Sequence, residues 1–451
     1  MRTKAVLALG VLGLLSSAAM ATPYASGIVD LGGGDYSFVL NQDAGSVVID
    51  RWGDTALDLG ALAKGTHTFN IGGGTGFDIA VGSSAAAGWT QISNDADVTS
   101  QYYSPKGVAV NRNPWSSYFG NVYVAEGLGG PTAAGRVTTD GLYGMTADLA
   151  DVFGQGDTAA HGDVDWTTGG SNSPFKLTVA PDNTVYITDW SDAHSGLWRA
   201  PGDLSGTWPN VLGNYNRDAG GLCDNHGSIP SVWVEGTGDG TMVYTLDEDL
   251  DMGGTTGSVL RYDVGTATDY NGLPVEQTQD GTDIILNLRA DVVRDADGSW
   301  WIAQYRYTES PGAPSLTRFL DGGTAPVYNS AEDGDLPLLM CTYGNVDIHD
   351  GLDLLVLGTR SGYGAYIIDI SDPDNPVLLE TLAQSGYIHD VAFDAAGNAY
   401  VVSSSSETLR VWSPGGDWLA TTSSDGGFVL IPEPASLVLL ALGGLALLRR
   451  R

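Results

Sequence analysis

The sequence predicts an all-β chain in which a small β-sandwich precedes a β-propeller of six blades, with a seventh as the alternative count. Two observations carry that expectation. Segments of alternating apolar and polar residues are broken by Gly-rich turns roughly every 8–12 residues, the pattern of half-buried antiparallel strands. A looser unit of strand, Asp/Asn/Gly turn and second strand then recurs along the rest of the chain, and a repeat outranks any local reading. With 42% hydrophobic residues the 451-residue chain has ample material for a core, and 63 glycines supply turns.

Residues 1–21 read as a secretory signal peptide. Arg2 and Lys4 precede an apolar stretch from Ala5 to Leu15, and small residues end in Ala19-Met20-Ala21, so signal peptidase is expected to cut after Ala21. Residues 22–82 are expected to form the sandwich. Alternating segments such as Tyr36-Ser37-Phe38-Val39-Leu40 and Ser46-Val47-Val48-Ile49-Asp50 lie between the breaks Gly32-Gly33-Gly34 and Gly72-Gly73-Gly74. The segment Leu59 to Phe69 resembles the Gly-led hairpin of small bacterial Ig-like modules, and His67 within it reads as a surface strand residue.

The propeller is expected over residues 83–430. Its units are centred on Val108-Ala109-Val110, Leu177-Thr178-Val179, Val232-Trp233-Val234, Val292-Val293, Val346-Asp347-Ile348 and Val391-Ala392-Phe393. Each is followed by turn residues able to adopt φ > 0 and then by a second strand. The second-strand anchors Tyr123, Tyr186, Tyr244, Trp301, Leu355 and Tyr400 lie 63, 58, 57, 54 and 45 residues apart, a spacing that suits four-stranded blades with loop insertions. Residues 77–100 paired with 421–430 are the candidate seventh unit. Ring closure would remove the exposed sheet edges.

The end of the chain, residues 431–451, combines Pro432-Glu433-Pro434, an uncharged run over 435–448 and Arg449-Arg450-Arg451. As a helix the run is about 21 Å long, short against the roughly 20 residues of a permanent span, and the arginines would hold its end on the cytoplasmic side. This three-part order resembles the PEP-CTERM sorting signal of Gram-negative bacteria. The resemblance implies a transient inner-membrane intermediate, recognition of Pro432, Glu433 and Pro434 by an exosortase, and delivery to the cell surface or an exopolysaccharide matrix. Those three residues are then substrate for another enzyme.

Charge narrows the partners. The chain carries 54 acidic against 20 basic side chains, a net of −34, and residues 22–431 keep 53 acids and 15 bases, a net of −38. Broad electrostatic binding of nucleic acid or anionic lipid is excluded by such a balance. Only Lys64, Lys106 and Lys176 remain as lysines in that body.

The repeat units resemble NHL and related six-bladed propellers, most clearly at Ile388-His389-Asp390-Val391-Ala392-Phe393-Asp394 with Gly397-Asn398-Ala399-Tyr400-Val401. Ala365 to Val377, with Asp369-Ile370-Ser371-Asp372-Pro373, resembles the LVIVD propeller repeat. The architecture these imply hosts lyases, lactonases, dehydrogenases and plain binding proteins alike.

Candidate chemistry rests on few residues. His226, His349 and His389 each sit near a presumed inner strand, and convergence at one channel mouth beside Asp350 or Asp390 would give a metal site or acid/base groups. The alternative is that each caps a turn. Asp247, Asp249 and Asp251 resemble an Asp-x-Asp-x-Asp calcium loop, but Met252 and Ser258 stand where an EF-hand has Gly and Glu, leaving only a looser calcium site open. Cys223 and Cys341, the only cysteines, are able to bridge outside the cell. No Gly-x-Ser-x-Gly elbow, P-loop or His-Glu-x-x-His occurs. The expected function is a binding or scaffolding propeller with an extracellular polysaccharide as partner. The alternatives are a propeller lyase or hydrolase acting on polysaccharide or a small ester through a divalent metal, and a structural spacer.

Overall fold

In a computed structural model the described residues are 22–83, 88–156, 163–168, 170–191, 196–212, 229–246, 258–272, 274–278, 290–305, 314–333, 336, 342–360, 364–383 and 386–432. They are almost wholly β. Six consecutive antiparallel sheets, each of three or four strands, follow one another along the chain. Their inner strands are Pro105–Val110, Leu177–Val179, Ser231–Glu235, Ala290–Arg294, Thr342–His349 and Ile388–Phe393. Each inner strand touches the next, and Ile388–Phe393 returns to touch Pro105–Val110, so the sheets form a ring. The chain is a β-propeller.

What holds the ring is the face-to-face packing of neighbouring sheets. Apolar clusters join every adjacent pair, for example Val293 and Trp301 with Ile348 and Leu357 between the fourth and fifth sheets. Val108 and Val124 with Tyr400 and Val411 close the ring between the first and sixth. The six anchors Tyr123, Tyr186, Tyr244, Trp301, Leu355 and Tyr400 are all buried in these layers. The hairpins after several inner strands use the left-handed conformation at Asn183 (φ 72), Gly298 (φ 86) and Gly397 (φ 78), positions where Gly or Asn avoids the Cβ clash.

The last sheet is completed by the start of the propeller chain. Thr90–Gln91 pairs with Thr408–Ser413, and Arg410 grips the Asp95 carboxylate through Nε at 3.1 Å and Nη2 at 2.8 Å. Strand order thus ties residue 90 to residue 413, so the sixth sheet is built from both ends of the propeller chain.

The sandwich differs from the expected 22–82 unit. One sheet contains Ala25–Gly32, Asp35–Leu40 and Gly65–Asn70, and the other contains Leu57–Leu62, Ala44–Arg51 and Phe77–Ser83 extended by Trp418–Ser423 and Phe428–Pro432. The pairing of Phe77–Ser83 with Trp418–Ser423, read from sequence as a candidate seventh propeller unit, therefore belongs to the sandwich. The reason is apolar: Phe77, Ile79 and Val81 face Phe38, Leu40 and Phe69 of the other sheet, and Phe69 meets Phe77 edge-on at 4.8 Å. His67 is half-buried, with its Nε2 bonded to the Ala63 carbonyl at 2.7 Å.

Among the described residues no helix is long and apolar enough to cross a membrane. The expected signal peptide and the helix over 435–448 lie outside the described residues, as do Glu433 and Pro434.

Candidate functional site

The inner strands carry an unusual burden. Each pairs on one side only, so its other edge turns a row of backbone N–H and C=O groups toward the axis, and such groups need partners when buried. Side chains from neighbouring strands supply them. Asp390 accepts from the Val108 N–H at 2.9 Å, Asp291 from the Val346 N–H at 3.1 Å, and Asp347 from the Phe393 N–H at 2.7 Å. Asn345 donates to the Ile388 carbonyl at 2.7 Å.

At the start end of the strands these partners knit into one axial brace. Lys176 Nζ lies 2.5 Å from Asp390 Oδ1, 3.1 Å from Asp291 Oδ2 and 3.0 Å from Asn345 Oδ1. Ser231 donates to the other Asp291 oxygen at 2.6 Å. With the Val108 N–H, each of the six sheets contributes one group. Lys176 and the Asp390 carboxylate are almost completely buried. One ammonium faces two carboxylates, so burial leaves one uncompensated negative charge and drives proton uptake. Desolvation accordingly pushes Asp390 up to about 7, with Lys176 opposing the rise, while the two carboxylates hold Lys176 above its ordinary range against the desolvation cost.

Beyond the brace the axis opens into a cavity of about 550 Å³, whose lining includes Asn111, Arg112, Asn113, Asp347, His349 and Asp350. Arg112 donates to the Ile348 carbonyl at 2.6 Å and to Asp347 Oδ1 at 3.0 Å. Its side chain remains one-third exposed. His349 Nε2 donates to the Ala395 carbonyl at 3.1 Å, which makes Nδ1 the acceptor nitrogen of a neutral ring. That Nδ1 is buried without a hydrogen-bond partner. Burial holds the imidazole below its usual pKa. Desolvation also raises the Asp350 carboxyl, against the pull of Arg112. Gly351 lies alongside, where an added Cβ would stand 3.4 Å from the ring.

The expected three-histidine cluster is not assembled by these strands. His349 ends its inner strand whereas His389 is the second residue of the next one, so the two rings sit toward opposite ends of the axis. His389 is buried, and burial first, then the charges of Lys106 and Lys176, pull its pKa well down. His226 lies outside the described residues, as do Asp247, Asp249, Asp251, Cys223 and Cys341. Among the described residues no group of three or more His, Cys, Asp or Glu is placed to hold a metal ion. Between Asp291 and Asp390 the position a cation would take is filled by Lys176 Nζ.

Sequence reasoning did not single out Lys176, Ser231, Asp291, Asn345, Arg112 or Asp347. One cue was present: a chain with three body lysines places one of them directly before an apolar strand, at Phe175-Lys176-Leu177.

No protein-family model matches the chain, and no curated protein matches it. Solved structures do. A gluconolactonase from Xanthomonas campestris is 12% identical with a TM-score of 0.43, over 75% of this chain and 90% of that one. The PQQ-bound aldose sugar dehydrogenase from Streptomyces coelicolor is 13% identical with a TM-score of 0.42, over 73% and 98%. Virginiamycin B lyase from Staphylococcus aureus is 11% identical with a TM-score of 0.38, over 77% and 89%. At such identities the chemistry has to be read from this chain's own site.

Proposed function

We propose that this protein is an exported, six-bladed propeller that binds a small neutral polyhydroxylated ligand, such as the end of an extracellular glycan, in the axial cavity. The cavity supports this reading: it is sealed at one end by the Lys176 brace and lined at the other by amide, guanidinium, carboxylate and imidazole groups. That is a concave site with a few placed polar groups, of the size small ligands use. The net charge of −38 over residues 22–431 disfavours acidic polysaccharide. Export and exosortase processing through Pro432, Glu433 and Pro434 remain part of the same proposal, supported by the two chain ends. Binding of the exported protein to arrayed neutral and uronate-containing oligosaccharides tests it. Neutral-glycan binding lost in Arg112→Ala is the expected result, and equal binding by both proteins rejects the cavity as the site.

A second reading is favoured by one observation, the partnerless Nδ1 of a neutral His349 in the cavity wall. Such a nitrogen is placed to take a proton from water or a hydroxyl, the role of a general base in ester hydrolysis or lyase chemistry. Turnover of small esters or glycans by the parent protein and its loss in His349→Ala would select this reading.

A further inference from the structure

Where the sandwich meets the last sheet of the ring, Thr22 is completely buried. Its backbone N–H donates to Ser413 Oγ at 2.7 Å and its hydroxyl to the Pro414 carbonyl at 3.3 Å. Its carbonyl accepts from Asn398 Nδ2 at 3.3 Å and from Asn41 Nδ2 at 3.4 Å. Asn398 is held in turn against Asp394 Oδ2 at 2.7 Å. One residue is thus gripped by both domains, and it is the residue that follows the expected signal-peptidase cut.

We propose that cleavage after Ala21 converts the Thr22 nitrogen into an α-ammonium that stays docked in this junction, with Asp394 as its counter-charge. The pocket has the groups for it. Asp394 is fully buried and makes no salt bridge to any described residue; its oxygens accept from the Ala396 and Asn398 N–H groups, the Asn398 amide and the Tyr400 hydroxyl, and the Tyr24 hydroxyl lies against it, so every group facing it is neutral. A buried carboxylate without a cation is costly, and a nearby ammonium would offset that cost. Burial pushes Asp394 up to about 6, in keeping with a missing positive partner. The Asp at the matching hairpin of the fourth sheet, Asp295, is only half-buried. Independently, Asn398 Oδ1 is buried with no hydrogen-bond partner. A peptide N–H offers one donor and an ammonium three, and Asn398, whose amide nitrogen bridges the Thr22 carbonyl and Asp394, carries the unsatisfied acceptor. Tyr24, Tyr400 and Asp394 are the titratable groups facing the site.

The consequence is a fold whose junction is finished by processing. The chain beginning at Thr22 with a free amine is compared with the same chain Nα-acetylated, by thermal melting at neutral pH. The free-amine form is expected to melt higher by a shift on the order of 1–3 °C, and the gap to close in Asp394→Asn. Ser413→Ala, which removes only a hydroxyl, should narrow the gap if Asp394→Asn fails to fold. Aminopeptidase provides a second readout: a docked terminus resists trimming in the folded protein. Equal melting of the two forms, a gap undiminished by both variants, or ready trimming of Thr22 would overturn the proposal. N-terminal sequencing of the exported protein tests the cleavage position separately, and a terminus other than Thr22 also overturns it.

Discussion

The two ends of the propeller axis are both lined with charged and polar side chains and do opposite things. At the start end of the inner strands the groups of the brace are spent: Lys176, Asp291, Asp390, Asn345 and Ser231 satisfy one another and the strand edges. At the far end Arg112 keeps a third of its side chain in solvent and His349 keeps an unused nitrogen. The difference teaches that polar residues on a propeller axis are not evidence of a site by themselves. What separates a brace from a site is whether donors and acceptors are left over.

The largest effect should come from breaking the closed end. Lys176→Met leaves two buried carboxylates facing each other, and removing one partner of a buried pair typically costs about 3–5 kcal/mol. Urea unfolding at pH 7 should show that loss, with partial recovery at low pH, where the carboxylates are neutralised by protons instead. An unchanged midpoint would mean that the axis is hydrated and the brace is not a pin.

Asp390→Asn should act next, through pH. Because burial raises the folded Asp390 to about 7, the folded chain holds a proton that the unfolded chain releases near 3.9. The stabilisation from that proton is complete below about 4 and is lost as pH rises to about 7. The Asn variant lacks this dependence, so it should gain on the parent across that window. Parallel stability curves for the two proteins between pH 4 and 7 would contradict the assignment.

How much of this contrast was legible in the sequence differs between its parts. Strand repeats were readable because hairpin chemistry is local: Asp182-Asn183, Asp297-Gly298 and Ala396-Gly397 each announce a turn within a few residues of the strands they join. The brace was not, because Lys176 and Asp390 are 214 residues apart and meet only once the ring closes. The sandwich was half legible. Its first six strands are contiguous, but Trp418–Ser423 and Phe428–Pro432 join them from the other end of the chain, and period-two patterning says nothing about which sheet a strand enters. The histidines misled for a directional reason: proximity to an inner strand does not say to which end of it. His349 closes its strand and His389 opens the next.

At the open end, Arg112→Ala should cost little stability, within about 1 kcal/mol for a partly exposed ion pair, while weakening ligand binding in the cavity. A large loss of stability with ligand affinity intact would reverse the comparison and make the open end another brace.

The smallest stability effect is expected from His349→Ala, and it is the most discriminating change. The folded imidazole titrates below its usual pKa because it is buried, so the unfolded chain takes up a proton first as pH falls below about 6.5. The contribution of the neutral ring is therefore present above about 6.5 and lost on acidification through the folded pKa. The Ala variant should lose less stability than the parent between pH 7 and 5 while matching it near pH 8. If ligand binding persists in that variant and no turnover is found in the parent, Nδ1 is a spare acceptor in the wall of a binding cavity. If the parent turns over an ester or glycan and the variant does not, the unused nitrogen is the base, and the open end is an active site that the closed end holds rigid.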